Sequence, residues 1–423
     1  MKHHMESLQK FAPWKSAMTR RFWLPLHRWI GLILAPWLIL IALTGSILAF
    51  YHELLATLSP RLYPRTASTR KLELADLALK AQALEPHAEP WSCYVDILGT
   101  THIRVTPLNN PATGKPYELG FAKFFLDSAT GAELGRGMGH GLSGGLDHLM
   151  TFIYDLHMSL GLRSTGAYRI FGALALIWTI DCFVGFYLTL PPLRKSRNSG
   201  SSFWRFWKPS WKIKWKAHPY RLNLDLHRAF GLWLWAVLFM FAWSTVGLNL
   251  SKVYYPVMGL FFEFRKSDEL LKQERPAPNA FPLGWREAQE VAERLMAEQG
   301  RIHGFTVIHP QAMYMLHETG RCQYRVVSTL DIQQKRGMTW IEFDRYSGQL
   351  LDVGLPTGQR MGVTITTWLI NLHRGYVFGL PYKIFVCIMG PVIIMLSVTG
   401  VYMWWKKRSV LRSKSLLKKA PSP

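Results

Sequence analysis

The chain has 423 residues, 49% of them apolar, a net charge of +23 and only four cysteines. Cys93 and Cys322 fall in different polar stretches and Cys182 and Cys387 in apolar runs, so neither a disulfide scaffold nor a CxxC metal site is indicated. The charge would point to nucleic acid if it covered a folded surface, but Met1–Arg28, Arg194–Arg221 and Lys406–Pro423 hold six, nine and seven basic residues against one acid, Glu6, which leaves nucleic acid little to explain.

In chain order, the basic N-terminus leads into an apolar run over Trp29–Tyr51, long enough to cross a bilayer core of about 30 Å. It lacks a small-residue cleavage site and reads as a retained helix rather than a signal peptide. The connection His52–Thr165 carries a helical pattern over Leu72–Leu84, strand-like residues over Cys93–Val105 and a turn at Asp127–Gly131. A second apolar run, Tyr168–Leu190, is followed by the basic stretch Arg194–Arg221. There, Phe203–Lys212 interleaves aromatic and basic side chains as an interfacial belt on anionic headgroups would. A third run covers Leu232–Leu250. The connection Ser251–Trp368 repeats the earlier pattern, with a helix over Trp285–Glu298, a strand over Tyr324–Leu330 and a turn at Asp344–Gly348. The fourth run is Ile384–Trp405, and the basic tail 406–423 follows it.

All three basic stretches fall on one side of a four-span topology, which puts both termini in the cytoplasm. The chain then divides into a cytoplasmic N-terminus with span one (1–51), an outer domain (52–150), a ligand segment with span two (151–190) and a basic cytoplasmic loop (191–225). Span three (226–250), a second outer domain (251–360), a ligand segment with span four (361–405) and the tail (406–423) complete it.

The two halves repeat. Leu26-His27-Arg28-Trp29-Ile30-Gly31-Leu32 recurs as Leu226-His227-Arg228-Ala229-Phe230-Gly231-Leu232, each opening a span that contains Thr44-Gly45 or Thr245-Val246-Gly247. Leu156-His157 recurs as Leu372-His373, and the spans that follow contain Gly185 and Gly400. An even number of spans per half makes the repeats parallel, related by an axis along the membrane normal.

Of fifteen histidines, only His27 with His227 and His157 with His373 occupy matching positions. Neutral imidazole is a common haem-iron ligand, and two on neighbouring helices can hold one haem within a bundle. Two haems at different depths follow, His27 and His227 at the cytoplasmic ends of their spans, His157 and His373 on the outer side. His52, 25 residues after His27 on nearly the same helix face, is the rival outer ligand. His148 and His157 are nine residues apart, on roughly opposite faces of a straight helix, and His148 reads as structural. Arg28, Arg228 and Arg374 each follow a paired histidine and would suit haem propionates, although positive-inside charge explains the first two equally well. His303, His309 and His317 read as a solvated face. Asp181, within span two, reads as packed against a neighbouring helix or a polar cavity rather than as a proton relay.

The doubled Leu-His-Arg…Gly-Leu and Thr-Gly motifs, Leu-His157…Gly185, Leu-His373-Arg374-Gly375…Thr399-Gly400 and the Asp127 and Asp344 turns resemble, over nearly the whole chain, the PepSY-associated transmembrane family, which includes bacterial inner-membrane ferric-siderophore reductases. The resemblance implies a membrane α-helical fold of four transmembrane helices as two parallel repeats, with two small α+β PepSY-like periplasmic domains. It implies b-type haem, two per chain by the number of sites the histidines can fill, and electron flow from the inside to a periplasmic ferric siderophore or other ferric chelate. Span three departs from the pattern with Thr245-Val246-Gly247, and His157 lacks the Arg-Gly that follows His373. No GxGxxG fingerprint opens a strand-to-helix unit, so the donor is expected to be quinol or a cytoplasmic flavoprotein. Two other readings stand beside the reductase: a non-enzymatic periplasmic binding or regulatory module, which predicts no haem, and an iron-chelate transporter, for which four spans are few.

Overall fold

The computed structural model describes residues 20–64, 71–137, 148–191, 203–264, 281–333 and 336–417. His140 and the parts of the basic stretches at 1–19, 192–202 and 418–423 lie outside the described residues.

Helix α1 (Arg20–Leu48) has no charged side chain after Arg28 and continues, after a short break, as α2 (Tyr51–Leu58). It starts nine residues before the apolar run, since the basic residues ahead of Trp29 are good helix formers. Next come α3 (Leu74–Leu84) and four strands, β1 (Ala88–Val95), β2 (Thr100–Pro107), β3 (Lys123–Asp127) and β4 (Glu133–Gly137). Helices α4 (Leu149–Ser159) and α5 (Thr165–Thr189) return through the bundle to a short α6 (Phe203–Trp207). The second half runs α7 (Pro219–Trp233), α8 (Trp235–Asn249), α9 (Ser251–Gly259) and α10 (Trp285–His303). Strands β5 (Val307–Leu316), β6 (Arg321–Ser328), β7 (Thr339–Asp344) and β8 (Leu350–Gly354) then lead to α11 (Met361–Arg374) and α12 (Gly379–Leu417).

Among the described residues, α1, α5 and α12 are each long and apolar enough to cross a membrane. The third apolar run is not one straight helix: α7 and α8 meet at 68° and make a fourth span only if taken together. The break is at Leu234, whose φ of −106° and ψ of 13° leave the helical region. The helices pack across halves. Ser46 Oγ on α1 donates to the Cys387 carbonyl on α12 (2.8 Å), and Trp235 Nε1 on α8 donates to the Cys182 carbonyl on α5 (2.9 Å).

The two α+β segments do not fold as separate domains. Their four-stranded meanders join edge to edge into one eight-stranded antiparallel sheet, ordered β4-β3-β2-β1-β5-β6-β7-β8. The seam pairs Ser92 with Tyr314, Cys93 with Met313 and Tyr94 with Ala312, so each meander covers an edge that would otherwise present unpaired backbone groups. Strand alternation then gives the sheet two unlike faces. Cys93, Ile103, Phe124, Met313, Tyr324 and Phe343 point into a core closed by α3 and α10. The opposite face carries Ser92, Tyr94, His102, Arg104, Lys123 and Arg325 and roofs a cavity above the helix bundle. Both meanders turn alike: Asp127 Oδ1 accepts from the amides of Ala129 and Thr130, and Asp344 Oδ1 from those of Tyr346 and Ser347. Gly131 and Gly348, at φ of 70° and 69°, take the left-handed position that closes each turn.

Candidate functional site

The four repeat-related histidines meet as two pairs, one at each end of the bundle. His27 on α1 faces His227 on α7 with ring centres 6.2 Å apart, and His157 on α4 faces His373 on α11 at 6.4 Å. With metal–imidazole bonds of about 2 Å, two axial rings on one iron have centres about 6.3 Å apart. His27 lies near the start of α1 and His157 abuts Gly45 near its end, which at 1.5 Å per residue are levels about 27 Å apart.

Hydrogen bonding fixes the protonation pattern of all four rings. Thr44 Oγ1 donates to the Leu40 carbonyl (2.8 Å), so toward His157 Nδ1 (3.0 Å) it can only accept. Ser244 Oγ donates to the Met240 carbonyl (2.6 Å) and accepts from His373 Nδ1 (2.7 Å). His227 Nδ1 donates to the Leu396 carbonyl (2.9 Å) and to Thr399 Oγ1 (3.1 Å), whose proton goes to the Met395 carbonyl. His27 Nδ1 donates to Asp181 Oδ1 at 2.8 Å. Each Nδ1 therefore carries the proton, and each Nε2 keeps its lone pair with no hydrogen bond among the described residues. An imidazole oriented for a metal has this form, its second nitrogen tied to a carbonyl, hydroxyl or carboxylate.

These partners assign roles that the sequence left open. Counting from the paired histidines, Ser244 is the true counterpart of Thr44, and Gly45 is matched by Thr245; the Thr245-Val246-Gly247 reading was displaced by one residue. Gly247 packs against Tyr254 instead. Asp181, four residues before Gly185, corresponds to Leu396, four before Gly400, a carboxyl group in one half doing what a main-chain carbonyl does in the other. Glycines make room for the rings: a Cβ at Gly45 would come within 3.1 Å of His157 Cε1, and one at Gly185 or Gly400 within 3.4 Å of the Cε1 atoms of His27 and His227. Gly31 and Gly231, one turn beyond His27 and His227 on the same helix faces, border open space where a Cβ would touch nothing within 4 Å.

The pair nearer the sheet opens into a cavity of about 490 Å³. Its floor, within the bundle, is apolar, with Trp37, Ile41, Phe171, Trp178, Phe241 and Met389. Its upper part holds Arg374, beside His373, which forms no ion pair with a carboxylate among the described residues. An apolar slot with two neighbouring imidazoles whose Nε2 atoms are unbonded and a cationic rim fits a haem and its propionates. Among the described residues no three His, Cys, Asp or Glu side chains converge as a metal site, so each pair offers two ligands only.

The rival residues lie apart. His52 lines the same cavity but its ring neighbours are Tyr51 (5.2 Å) and Tyr376 (6.1 Å), not a second histidine. Its Nδ1 is buried without a hydrogen bond, and burial lowers its pKa to about 4, which keeps it neutral. His148 immediately precedes α4. Arg28 has no carboxylate partner among the described residues, whereas Arg228 pairs with the fully buried Asp225 (2.9 Å) and donates to the Pro209 carbonyl (2.6 Å), which commits it to the loop before α7. His317 accepts from Arg345 Nη1 and lies 3.6 Å from Glu89, His309 bonds the Pro310 carbonyl, and His303 bonds Gln359, so these three do not form a cluster.

The chain is thus a transmembrane protein with two pairs of tautomer-locked histidines inside an apolar bundle under a single antiparallel sheet. The chain belongs to the family described as PepSY-associated TM region, which matches residues 24–407. No curated protein matches it.

Proposed function

We propose that this protein is a haem-containing oxidoreductase of the bacterial inner membrane, which passes electrons from a quinol or cytoplasmic flavoprotein to a periplasmic ferric chelate such as a ferric siderophore. In this reading the chain crosses the membrane four times as two parallel repeats, both termini are cytoplasmic, and the sheet lies in the periplasm. The observation that carries it is the shared tautomer: four rings in two facing pairs, each with Nδ1–H donated and Nε2 left bare.

When bound, two b-type haems supply one-electron couples near the two ends of the bundle. The Nε2 lone pairs of His27 and His227 would hold the cytoplasmic one, and those of His157 and His373 the periplasmic one. With two protein ligands committed to each haem, the site would suit electron transfer rather than oxygen chemistry. Arg374 and Arg28 would pair with propionates, and the apolar floor around Trp37, Trp178 and Phe241 would keep water from the transfer path. For each electron taken from the donor, one Fe(III) in the chelate becomes Fe(II), which the chelator holds less tightly and releases.

The test is to purify the full chain in detergent, record oxidised and dithionite-reduced visible spectra, and count haem as the pyridine haemochrome. Two haems per chain are expected, with one lost on replacing either member of a pair by alanine. A folded protein that stays colourless after haem supplementation would overturn the reading, as would unchanged haem content in all four variants. Reduction of a ferric chelate by the dithionite-reduced protein is the next measurement.

A further inference from the structure

The cavity above the periplasmic pair has an upper chamber whose charge the haem alone does not account for. Five cationic side chains line it: Arg104, Lys123, Arg325, Arg336 and Arg374. None forms an ion pair with a carboxylate among the described residues. The acid among the lining residues, Asp96, is already engaged by His102 Nε2 (2.9 Å) and by the amides of Leu98 and Thr100.

The sheet register makes this arrangement costly. Arg104 on β2 is directly opposite Lys123 on β3, a cross-strand pair of like charges, which is destabilising. Burial, with the Arg104 and Arg163 cations adding to it, pushes the Lys123 ammonium down to about 8. Arg104 stacks over Trp91 and Lys123 over Phe125. Across the seam, Arg325 lies over Tyr314 and bonds Gln323, but its Nε is buried with no partner, as is the Nδ1 of His52 in the same cavity. Buried polar groups are satisfied in most native structures, so two orphans lining one cavity, one of them the Arg325 Nε donor, point to a ligand that bonds them. Tyr94, Tyr154, Tyr314 and Tyr376 complete the lining with ring faces and hydroxyl groups.

We propose that this chamber is the substrate site and that it selects a ferric chelate carrying net negative charge, with Arg104, Lys123 and Arg325 on the sheet holding its oxygen donors above the haem. The proposal rests on the reductase reading for the chelate's identity as substrate. Arg374 stays with the haem propionates, so the sheet cations are the ones that distinguish the chelate. Charge-assisted hydrogen bonds from guanidinium groups to oxyanions are the strong ones, and a half-buried site weakens their competition with water.

Gallium(III) chelates test this without electron transfer, since Ga(III) is not reduced by the protein. Binding of tris(catecholate)gallium(III), a trianion, and of a neutral tris(hydroxamate)gallium(III) would be measured on the purified full chain by equilibrium dialysis, at low and high salt. We expect the trianion to bind at least about tenfold tighter, the preference to shrink with salt, and Arg104→Gln or Arg325→Gln to weaken trianion binding by about tenfold with haem content and spectra unchanged. Equal affinity for the two chelates, or trianion binding indifferent to both substitutions, would overturn the proposal. The wild-type comparison decides the matter even where a variant fails to fold. A haem count of zero would refute the reductase reading, whereas this measurement still reports whether the chamber selects anions.

Discussion

The two histidine pairs share one geometry and differ in their surroundings. At the far pair both rings rest against glycine, Gly185 for His27 and Gly400 for His227, and the acceptors are a carboxyl group on one side and a carbonyl with a hydroxyl on the other. At the sheet-side pair both acceptors are hydroxyls, one ring rests against Gly45, and the other meets the edge of Phe241 at 5.2 Å. The far pair is held by helices alone, while the sheet-side pair opens into a chamber roofed by β-structure. The repeat thus fixes ring spacing and tautomer and lets the surroundings of each end vary, which in the proposed reductase would set potential and access. A site that only receives electrons needs little access, and one that delivers them to a bulky chelate needs a doorway.

The largest effect expected from this contrast follows from the glycines. Gly45→Val places methyl groups where even a Cβ would lie 3.1 Å from the His157 ring, and should remove the sheet-side haem while the far one remains. Gly185→Val should do the reverse through His27. Haemochrome counts falling from two to one in each variant, with different haem spectra surviving, would bear out two independent sites. Retention of both haems in both variants would break the comparison.

A smaller effect should come from the roof. Phe124 is fully buried in the core of the sheet layer, and Phe124→Ala should destabilise that layer by about 3–5 kcal/mol. In denaturant titrations followed by haem absorbance, the sheet-side signal should move to lower denaturant and the far signal should stay in place. Equal movement of both would mean that the roof and bundle unfold as one unit. Next in size are Thr44→Val and Ser244→Ala, which remove the acceptors that hold Nδ1–H. Loss of such a partner costs about 10–100-fold in metal affinity, here expected as weaker retention of the sheet-side haem only.

How much of this could be read in the sequence depends on whether the information is local. The histidine pairs were legible because the repeat placed them at matching positions, and the Asp127 and Asp344 turns because an Asx turn ending in a left-handed glycine leaves a short, local signature. The joining of the two α+β segments was not legible: the Cys93–Met313 contact at the seam spans about half the chain, and alternation in β1 shows only that the strand has two faces. The bend at Leu234 has no proline or glycine at the break to announce it. Ser244 was passed over because serine differs from threonine in a motif read by letters, although both offer the same hydroxyl. Arg228 looked like a propionate partner because it follows a histidine, yet Asp225, three residues earlier on the same helix, neutralises it.

Asp181 offers the finest probe of the difference between the two ends. Its carboxyl oxygen accepts from His27 Nδ1, and at the repeat-related position the Leu396 carbonyl accepts from His227. A carboxylate at that place makes the imidazole a stronger donor to iron than a neutral acceptor does, and so favours the ferric state. Asp181→Asn keeps an oxygen that can accept and removes the charge, which makes the His27 side resemble its partner. Haem content should be unchanged, and in a spectroelectrochemical titration the far haem alone should move to higher potential while the sheet-side wave stays where it was. A shift in both waves would mean that the Asp181 charge is felt along the whole bundle, and no shift would mean that its hydrogen bond only orients the ring. Either result would separate tuning of the iron from positioning of its ligand, which the shared geometry of the two pairs leaves superimposed.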